Sequence, residues 1–491
     1  MRRPERHAGL LALVLGLLHW WLRPDSGTDL AAQLARASFA GAAPLTPVDL
    51  SWYGGVHPFG YSLLSPWLMA LLGVHLSGLL AAVAGAVLLA RMLRDTERPL
   101  LGALLGSVLM TADVVSGRTT FALGAAAALG ALCVLPRRRW AVLLAVLTAL
   151  LSPVAAAFLG FAAGLLVLHR RVGGWSIGVA TALPVVVLGV LFPGGGVQPY
   201  TAHSARLAVV SAVLVAVLTQ VPVVRTGALL YAVAVLAFLL HEDPFGSNVL
   251  RLGLLVAAPV LVATARRRAL PLLLATAVVL FWQAGPPWGD LRSPAGPPLG
   301  PLRTQLVALG AQRVEVLAPR DHRESWYVAE RVPLARGWAR QQDYTLNPLF
   351  YKGALTPEAY LDWLRAHAVD HVAVPRDTVL DFGSTREGDL LRRGASLQQV
   401  WQDDSWTVYA VPDPVPLAAV PATVVASGRE ALTVRVDRAA DVVVHLRWSR
   451  WLSVSEGDAC LERSGDEVLL RVHEPGVVTI GSRLVPKGHC H

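Results

Sequence analysis

Lysine is almost missing from this chain of 491 residues: Lys352 and Lys487 are the only two. Charged residues of every kind make up 16%, and there are three cysteines. Each scarcity excludes something. With 54% hydrophobic residues and a mean hydropathy of +0.50, a soluble enzyme with a large core is excluded and a polytopic membrane protein is expected. A formal charge of +9 would suggest a nucleic-acid partner in a soluble protein. Here the positive charge is nearly all arginine in short loops between apolar runs, where topology accounts for it, so no nucleic acid is expected. Three cysteines are too few for a disulfide scaffold, and no CxxC motif exists for metal or redox work. Cys133 lies in an apolar run and reads as a buried thiol. The segment FPGGGVQP lacks the preceding strand and following Lys-Ser/Thr of a phosphate loop, and no GxSxG elbow is present.

Long apolar runs are what the chain has instead. They fall near 8–22, 62–90, 99–114, 119–135, 140–151, 153–168, 175–192, 206–223, 227–240, 249–265 and 269–284. The first has no small-residue cleavage site after it and reads as a retained helix. The stretch 140–168 reads either as one kinked helix or as two short ones meeting at Ser152-Pro153. With Arg2, Arg3 and Arg6 inside, the inner loops collect Arg91, Arg94, Arg98, Arg137, Arg138, Arg139, Arg170, Arg171, Arg225, Arg266, Arg267 and Arg268. Single arginines (Arg23, Arg36, Arg118, Arg206 and Arg251) remain outside. The positive-inside rule then favours about eleven crossings, a cytoplasmic N-terminus and an extracytoplasmic C-terminal region. On that side a Cys460–Cys490 disulfide is expected. The expected architecture is a transmembrane domain over 1–284, a Pro/Gly linker over 285–301, an α/β domain over 302–415 and a β-sandwich over 416–491.

Residues able to carry chemistry gather on the outer side. The first outer loop, 23–61, holds Asp25, Asp29, Asp49 and His57. Within it TDLAAQLARASFA has the spacing of an interfacial helix with Asp29 at its N-terminal end and Thr28 as a cap. Asp29 is explained as well by helix capping as by catalysis when taken alone. The aromatics of SWYGGVHPFGYSLLSPW belong at a membrane interface, and Gly54-Gly55 and His57-Pro58 force irregular backbone that could face a cavity. Arg118 and Arg251 stand at outer helix ends, either to hold an anion or to snorkel to headgroups. Asn248 either orients Arg251 or caps a helix. His241, Glu242 and Asp243 could share a divalent cation with Asp29 or Asp113, although such a triplet is more often a solvated loop. In the outer domain Arg336, Trp338, Arg340, Gln341, Asp343, Tyr344 and Asn347 suggest an acceptor surface or, more readily, a docking face.

This order of features resembles the GT-C class of polytopic glycosyltransferases: an acid soon after the first helix, in TDLAAQ, then the His-Pro segment VHPFGYSLL. The segments SGRTTFALG, PFGSNVLRL and RGWARQQDYTLNPLFY also resemble an actinobacterial branch of such membrane proteins. The resemblance implies a plasma-membrane enzyme, inverting, that moves a sugar from a polyprenyl-phosphate donor to a cell-envelope glycan or lipid on the extracytoplasmic side. It implies Asp29 as base, and Arg118, Arg251, Asn248, His57 and Tyr61 for the phosphate and the substrates. Whether a divalent cation takes part, through Asp29, Asp113, His241 and Asp243, is left open. Many members pair two acids, whereas Leu30 follows Asp29 here. The alternative is therefore a non-catalytic scaffold or a transporter for envelope assembly; transport is disfavoured because no internal repeat is visible.

Overall fold

The computed structural model describes residues 4–265, 269–394 and 397–490, so Arg2, Arg3, Arg266, Arg267 and Arg268 lie outside the described residues. The chain forms two compact units. One takes the chain up to Gln33, Gly60–Ser293 and Arg340–Gln342; the other takes Leu34–Phe59, Pro294–Ala339 and the chain from Asp343 onward.

The first unit is helical. Its elements are α1 (Pro4–Leu22), the start of α2 (Leu30–Ala42), the second half of the short α3 (Pro58–Tyr61), α4 (Ser65–Leu72), α5 (Val74–Leu93), α6 (Pro99–Val115) and α7 (Thr119–Cys133). There follow α8 (Arg138–Leu151), α9 (Pro153–Leu168), α10 (Gly174–Leu191), α11 (Ala202–Leu218), α12 (Pro222–Leu240), α13 (Leu250–Thr264) and α14 (Ala269–Arg292). Small side chains set the packing. Ala8 and Ala12 of α1 are buried against Ala82, Ala86 and Ala103 of α5 and α6, and Ser107 donates across to the Ala8 carbonyl at 2.9 Å. Close approach of small residues is how helices associate where lipid removes the hydrophobic drive between them. Apolar side chains on α10 and α12, Val186 and Val233 among them, point outward instead, as helices facing lipid require.

Among the described residues five helices are long and apolar enough to cross a membrane, Gly246–Thr264 counting as one, and four shorter apolar helices stand beside them. The structure thus supports a multi-helix membrane protein, while the count of about eleven is finer than these lengths carry. The stretch 140–168 is two helices: Pro153 opens α9, and Ser152 Oγ accepts the Ala155 N–H at 3.3 Å as its cap. The run 62–90 divides at Gly73, whose φ of +82° only glycine adopts easily.

The second unit combines an α/β sheet and a β-sandwich. The first sheet has the order β1-β2-β4-β3, with β1 (Val314–Val316) parallel to β2 (His371–Pro375), and β4 (Trp406–Ala410) antiparallel to both β2 and β3 (Gln398–Gln402). Around it lie α15 (Gly300–Ala308), α16 (Glu324–Tyr327), the end of α17 (Arg340–Leu346), α18 (Pro357–Ala366) and α19 (Phe382–Arg392). The helix α18 starts as its sequence demands, with Pro357 in the first turn and Thr356 Oγ1 accepting from Ala359. In the sandwich, β5 (Ala422–Ser427), β6 (Leu432–Val436), β11 (Gly476–Ser482) and β8 (Leu452–Glu456) form one sheet; β7 (Ala440–Val444), β10 (Glu467–Val472) and β9 (Ala459–Ser464) form the other. Val434, Val444, Leu470 and Ile480 bury the alternating faces. Cys460 and Cys490 are joined as a disulfide.

Three expectations are corrected. The segment 23–61 is not one loop at a membrane face. Its latter part enters the C-terminal unit, where Trp52 bridges to Leu334 and its indole N–H donates to the Ser325 carbonyl at 2.8 Å. Trp52 and Tyr53 are therefore core side chains, 3% and 7% exposed, and not interfacial aromatics. Nor does α2 lie along a lipid surface: Leu30, Ala31, Ala35 and Phe39 are all buried, and Arg429 grips its second half through Ser38 Oγ and the Ala35 carbonyl. Finally, the first half of 285–301 is helix and not linker, because α14 continues through Pro286 and Pro287 to Arg292 and buries Asp290, and the two units part between Ser293 and Pro294.

Candidate functional site

Two glycines let two loops of the helical unit touch. At Gly117, which ends the turn after α6 with φ +78°, a Cβ would lie 2.3 Å from the Leu30 nitrogen. At Gly27, φ +107°, a Cβ would lie 2.6 Å from the Gly117 nitrogen. With no side chain on either, Asp29 donates its N–H to the Ser116 carbonyl at 3.3 Å. That contact places the Asp29 carboxylate beside Arg118, which caps the start of α7.

Arg251 reaches the same place from a later part of the helical unit. Asp243 Oδ1 accepts the N–H groups of Phe245 and Gly246 at 2.6 and 3.0 Å, an aspartate turn that starts the 3₁₀ segment Gly246–Val249. This segment runs into α13 and delivers Arg251 on its first turn. Arg251 Nη2 donates to Asp29 Oδ2 at 3.1 Å, and Arg118 Nε stands 3.5 Å from the same oxygen. Arg118 Nη1 lies 3.6 Å from Asp113 Oδ1. Burial opposes the charge on Arg118, but Asp113, Asp29 and Asp290 outweigh it and hold the guanidinium above its usual range. The guanidinium of Arg251 stands 5.6 Å from the Phe121 ring centroid.

Behind this cluster Thr120 Oγ1 donates to Gln33 Oε1 at 2.5 Å, and the Gln33 amide reaches the Tyr61 hydroxyl at 3.4 Å. Gln33 is 1% exposed, so it ties α2, α3 and α7 together from within. A small cavity in the same unit is lined by chain neighbours of the cluster, Ser26, Leu30 and Thr119, together with His19, Trp20 and His75, and not by the four charged residues themselves.

The structure thus brings Asp29, Arg118, Arg251 and Asp113 into one constellation, while Tyr61 is tied through Gln33 to Thr120 and not to these four. His57 and Asp49 belong to the C-terminal unit. His57 Nε2 pairs with Ser449 Oγ at 2.8 Å there, and Asp49 Oδ1 accepts from the Ser51 N–H and hydroxyl. Asn248 sits inside the 3₁₀ segment that leads to Arg251. The shared-cation alternative finds no support: Asp243 Oδ1 closes a turn, His241 is exposed, and among the described residues no three His, Cys, Asp or Glu side chains gather as ligands. Asp290 and Gln33 were not singled out by the sequence. Asp290 hides behind a Pro-Pro pair that reads as linker, and Gln33 carries no local signal beyond being polar in an apolar helix.

The outer-domain run is also corrected. Arg336, Asp343 and Asn347 are 8%, 6% and 1% exposed and form a buried network. Arg336 pairs with Glu315 at 2.6 Å and with Glu387, while Tyr360 donates to Glu387 and Tyr351 to Asp343. Trp338 stacks on His322 with ring centroids 3.5 Å apart. Arg336, Asp343 and Asn347 are therefore core residues and not part of an acceptor surface, whereas Trp338, Arg340, Gln341 and Tyr344 stay half-buried. The chain matches no protein-family model and no curated protein.

Proposed function

We propose that the protein is a membrane glycosyltransferase that moves a sugar from a polyprenyl-phosphate donor to a cell-envelope acceptor. The observation carrying this reading is that two guanidiniums from distant helices meet one carboxylate oxygen, Asp29 Oδ2. The planar forks of two guanidiniums can each engage a pair of oxygens on a tetrahedral phosphate. In a water-poor site they stabilise the charge that grows on a departing phosphate. A carboxylate beside them can take the acceptor hydroxyl's proton as the sugar is attacked with inversion. In this reading Asp29 is the base, Arg118 and Arg251 hold the phosphate, and Asp113 and Asp290 hold Arg118.

The cluster then lies on the extracytoplasmic side of the plasma membrane, with about eleven crossings and the C-terminal unit outside. Basic loops on the opposite side and a disulfide in that unit support this orientation. The test is transfer from labelled polyprenyl-phosphate sugars by the purified chain in lipid nanodiscs. Asp29→Asn is expected to lower turnover by about 10²–10⁴-fold while leaving the protein folded. Unchanged turnover rejects Asp29 as base, and no transfer by the natural chain from any such donor rejects the reading.

A further inference from the structure

We infer that the donor's phosphate takes the two arginines from Asp29, so that donor binding displaces the carboxylate that then serves as base. The inference rests on the reading just proposed and adds an order of events to it. Arg251 Nη2 and Arg118 Nε converge on the same oxygen, Oδ2 of Asp29. Asp29 thus occupies the guanidinium edges that a donor phosphate would take. Two carboxylates, Asp29 and Asp113, pair with the two guanidiniums, and Asp290 adds to the negative field at Arg118. A further anion can pair with both guanidiniums only by displacing one of the two.

The geometry selects Asp29 as the one displaced. Its side chain is 27% exposed, whereas that of Asp113 is 8% exposed. Arg118 meets the two through different arms: Nε faces Asp29 and Nη1 faces Asp113. It can release the first while staying tethered to the second. Asp113 and Asp290 are thus positioning residues that keep Arg118 in the site during the exchange. Charge balance drives the exchange forward. A phosphodiester donor carries one negative charge; as the bond between the sugar carbon and the phosphate oxygen breaks, the electron pair stays on phosphate and a second charge develops there. The guanidiniums follow that charge, and the freed carboxylate accepts the proton of the attacking hydroxyl. An interaction that strengthens only as the bond breaks lowers the barrier and not merely the ground state.

The experiment is equilibrium binding of polyprenyl phosphate to the full-length protein in zwitterionic nanodiscs, comparing the natural chain with Asp29→Asn, Asp113→Asn and Arg251→Gln. If Asp29 competes for the arginines, Asp29→Asn binds about tenfold tighter, the worth of one charge-assisted pair. Asp113→Asn gains distinctly less, and Arg251→Gln loses affinity. Asp29→Ser repeats the measurement should the asparagine variant fail to fold. A natural chain that binds the lipid while Asp29→Asn binds equally or more weakly overturns the exchange but leaves the phosphate site standing. Equal gains for Asp29→Asn and Asp113→Asn also overturn it, since a general field effect would do the same. Absence of binding by every form overturns the exchange together with the glycosyltransferase reading.

Discussion

Single residues show how differently two arginine-carboxylate clusters, one in each unit, can be used. Around Asp29 the carboxylate and guanidiniums keep partial exposure, whereas Glu315 and Glu387 are fully buried against Arg336. Burial pushes the Glu315 carboxyl up to about 8, against the pull of Arg336 and with the help of Glu387. The folded chain therefore holds a proton that the unfolded chain loses near its ordinary value of 4.5. The stabilisation is complete below that value and is lost as pH rises through about 8, so stability falls across this window. Thermal melts of the purified chain from pH 5 to pH 8.5 are expected to show that decline, and Glu315→Gln, which cannot titrate, is expected to flatten it. An equal slope in the variant would place the titration elsewhere. The sequence offered Arg336 for an acceptor surface or, more readily, a docking face, because aromatics and planar polar groups crowd around it. The same composition builds a satisfied polar core, and only burial separates the two.

Among elements, the contact between the start of α2 and the turn after α6 decides whether a site exists. It depends on Gly27 and Gly117, both with positive φ and both with backbone where a Cβ would stand. Gly117→Ala costs about 1–2 kcal/mol from its φ alone, and the added methyl must also move the Leu30 backbone. The expected result is separation of Arg118 from Asp29 and loss of polyprenyl-phosphate binding, with the disulfide-linked sandwich melting as before. Retained binding would mean that the close approach is dispensable. Much of this level was legible. Polar residues at the ends of apolar runs marked Asp29, Arg118 and Arg251, and hydrophobic alternation marked β6, β7, β10 and β11. Helix breaks at Ser152-Pro153 were visible because proline cannot continue the backbone ladder. What misled was the assumption that Pro286-Pro287 ends α14; the helix runs on and carries Asp290 to the cluster.

For the molecule as a whole, the division into domains departs from chain order. Residues near the N-terminus complete the C-terminal unit: Leu50 donates to the Arg429 carbonyl, Val48 to Ser482 Oγ, and Trp52 fills the space over Gly337. Local periodicity cannot reveal such a partner, because Gly54 and Gly55 turn the segment back so that Asp49 bridges Val56, and its mates lie hundreds of residues away. An aromatic near an apolar run looks interfacial whichever core it joins. The consequence is testable in the intact protein. Trp52→Ala removes a fully packed indole and its hydrogen bond to Ser325, so it should destabilise the C-terminal unit by about 3–5 kcal/mol. Trp67→Ala, on an exposed helical position, should leave that unit unchanged. Limited proteolysis in nanodiscs reads the difference. Cleavage should rise within the sandwich and the α/β sheet in the first variant only, because losing Trp52 opens the unit to which the chain's early segment belongs. Were both variants cut at the same rate as the natural chain, the segment 34–59 would be an appendage, and a domain boundary near 302 would stand after all.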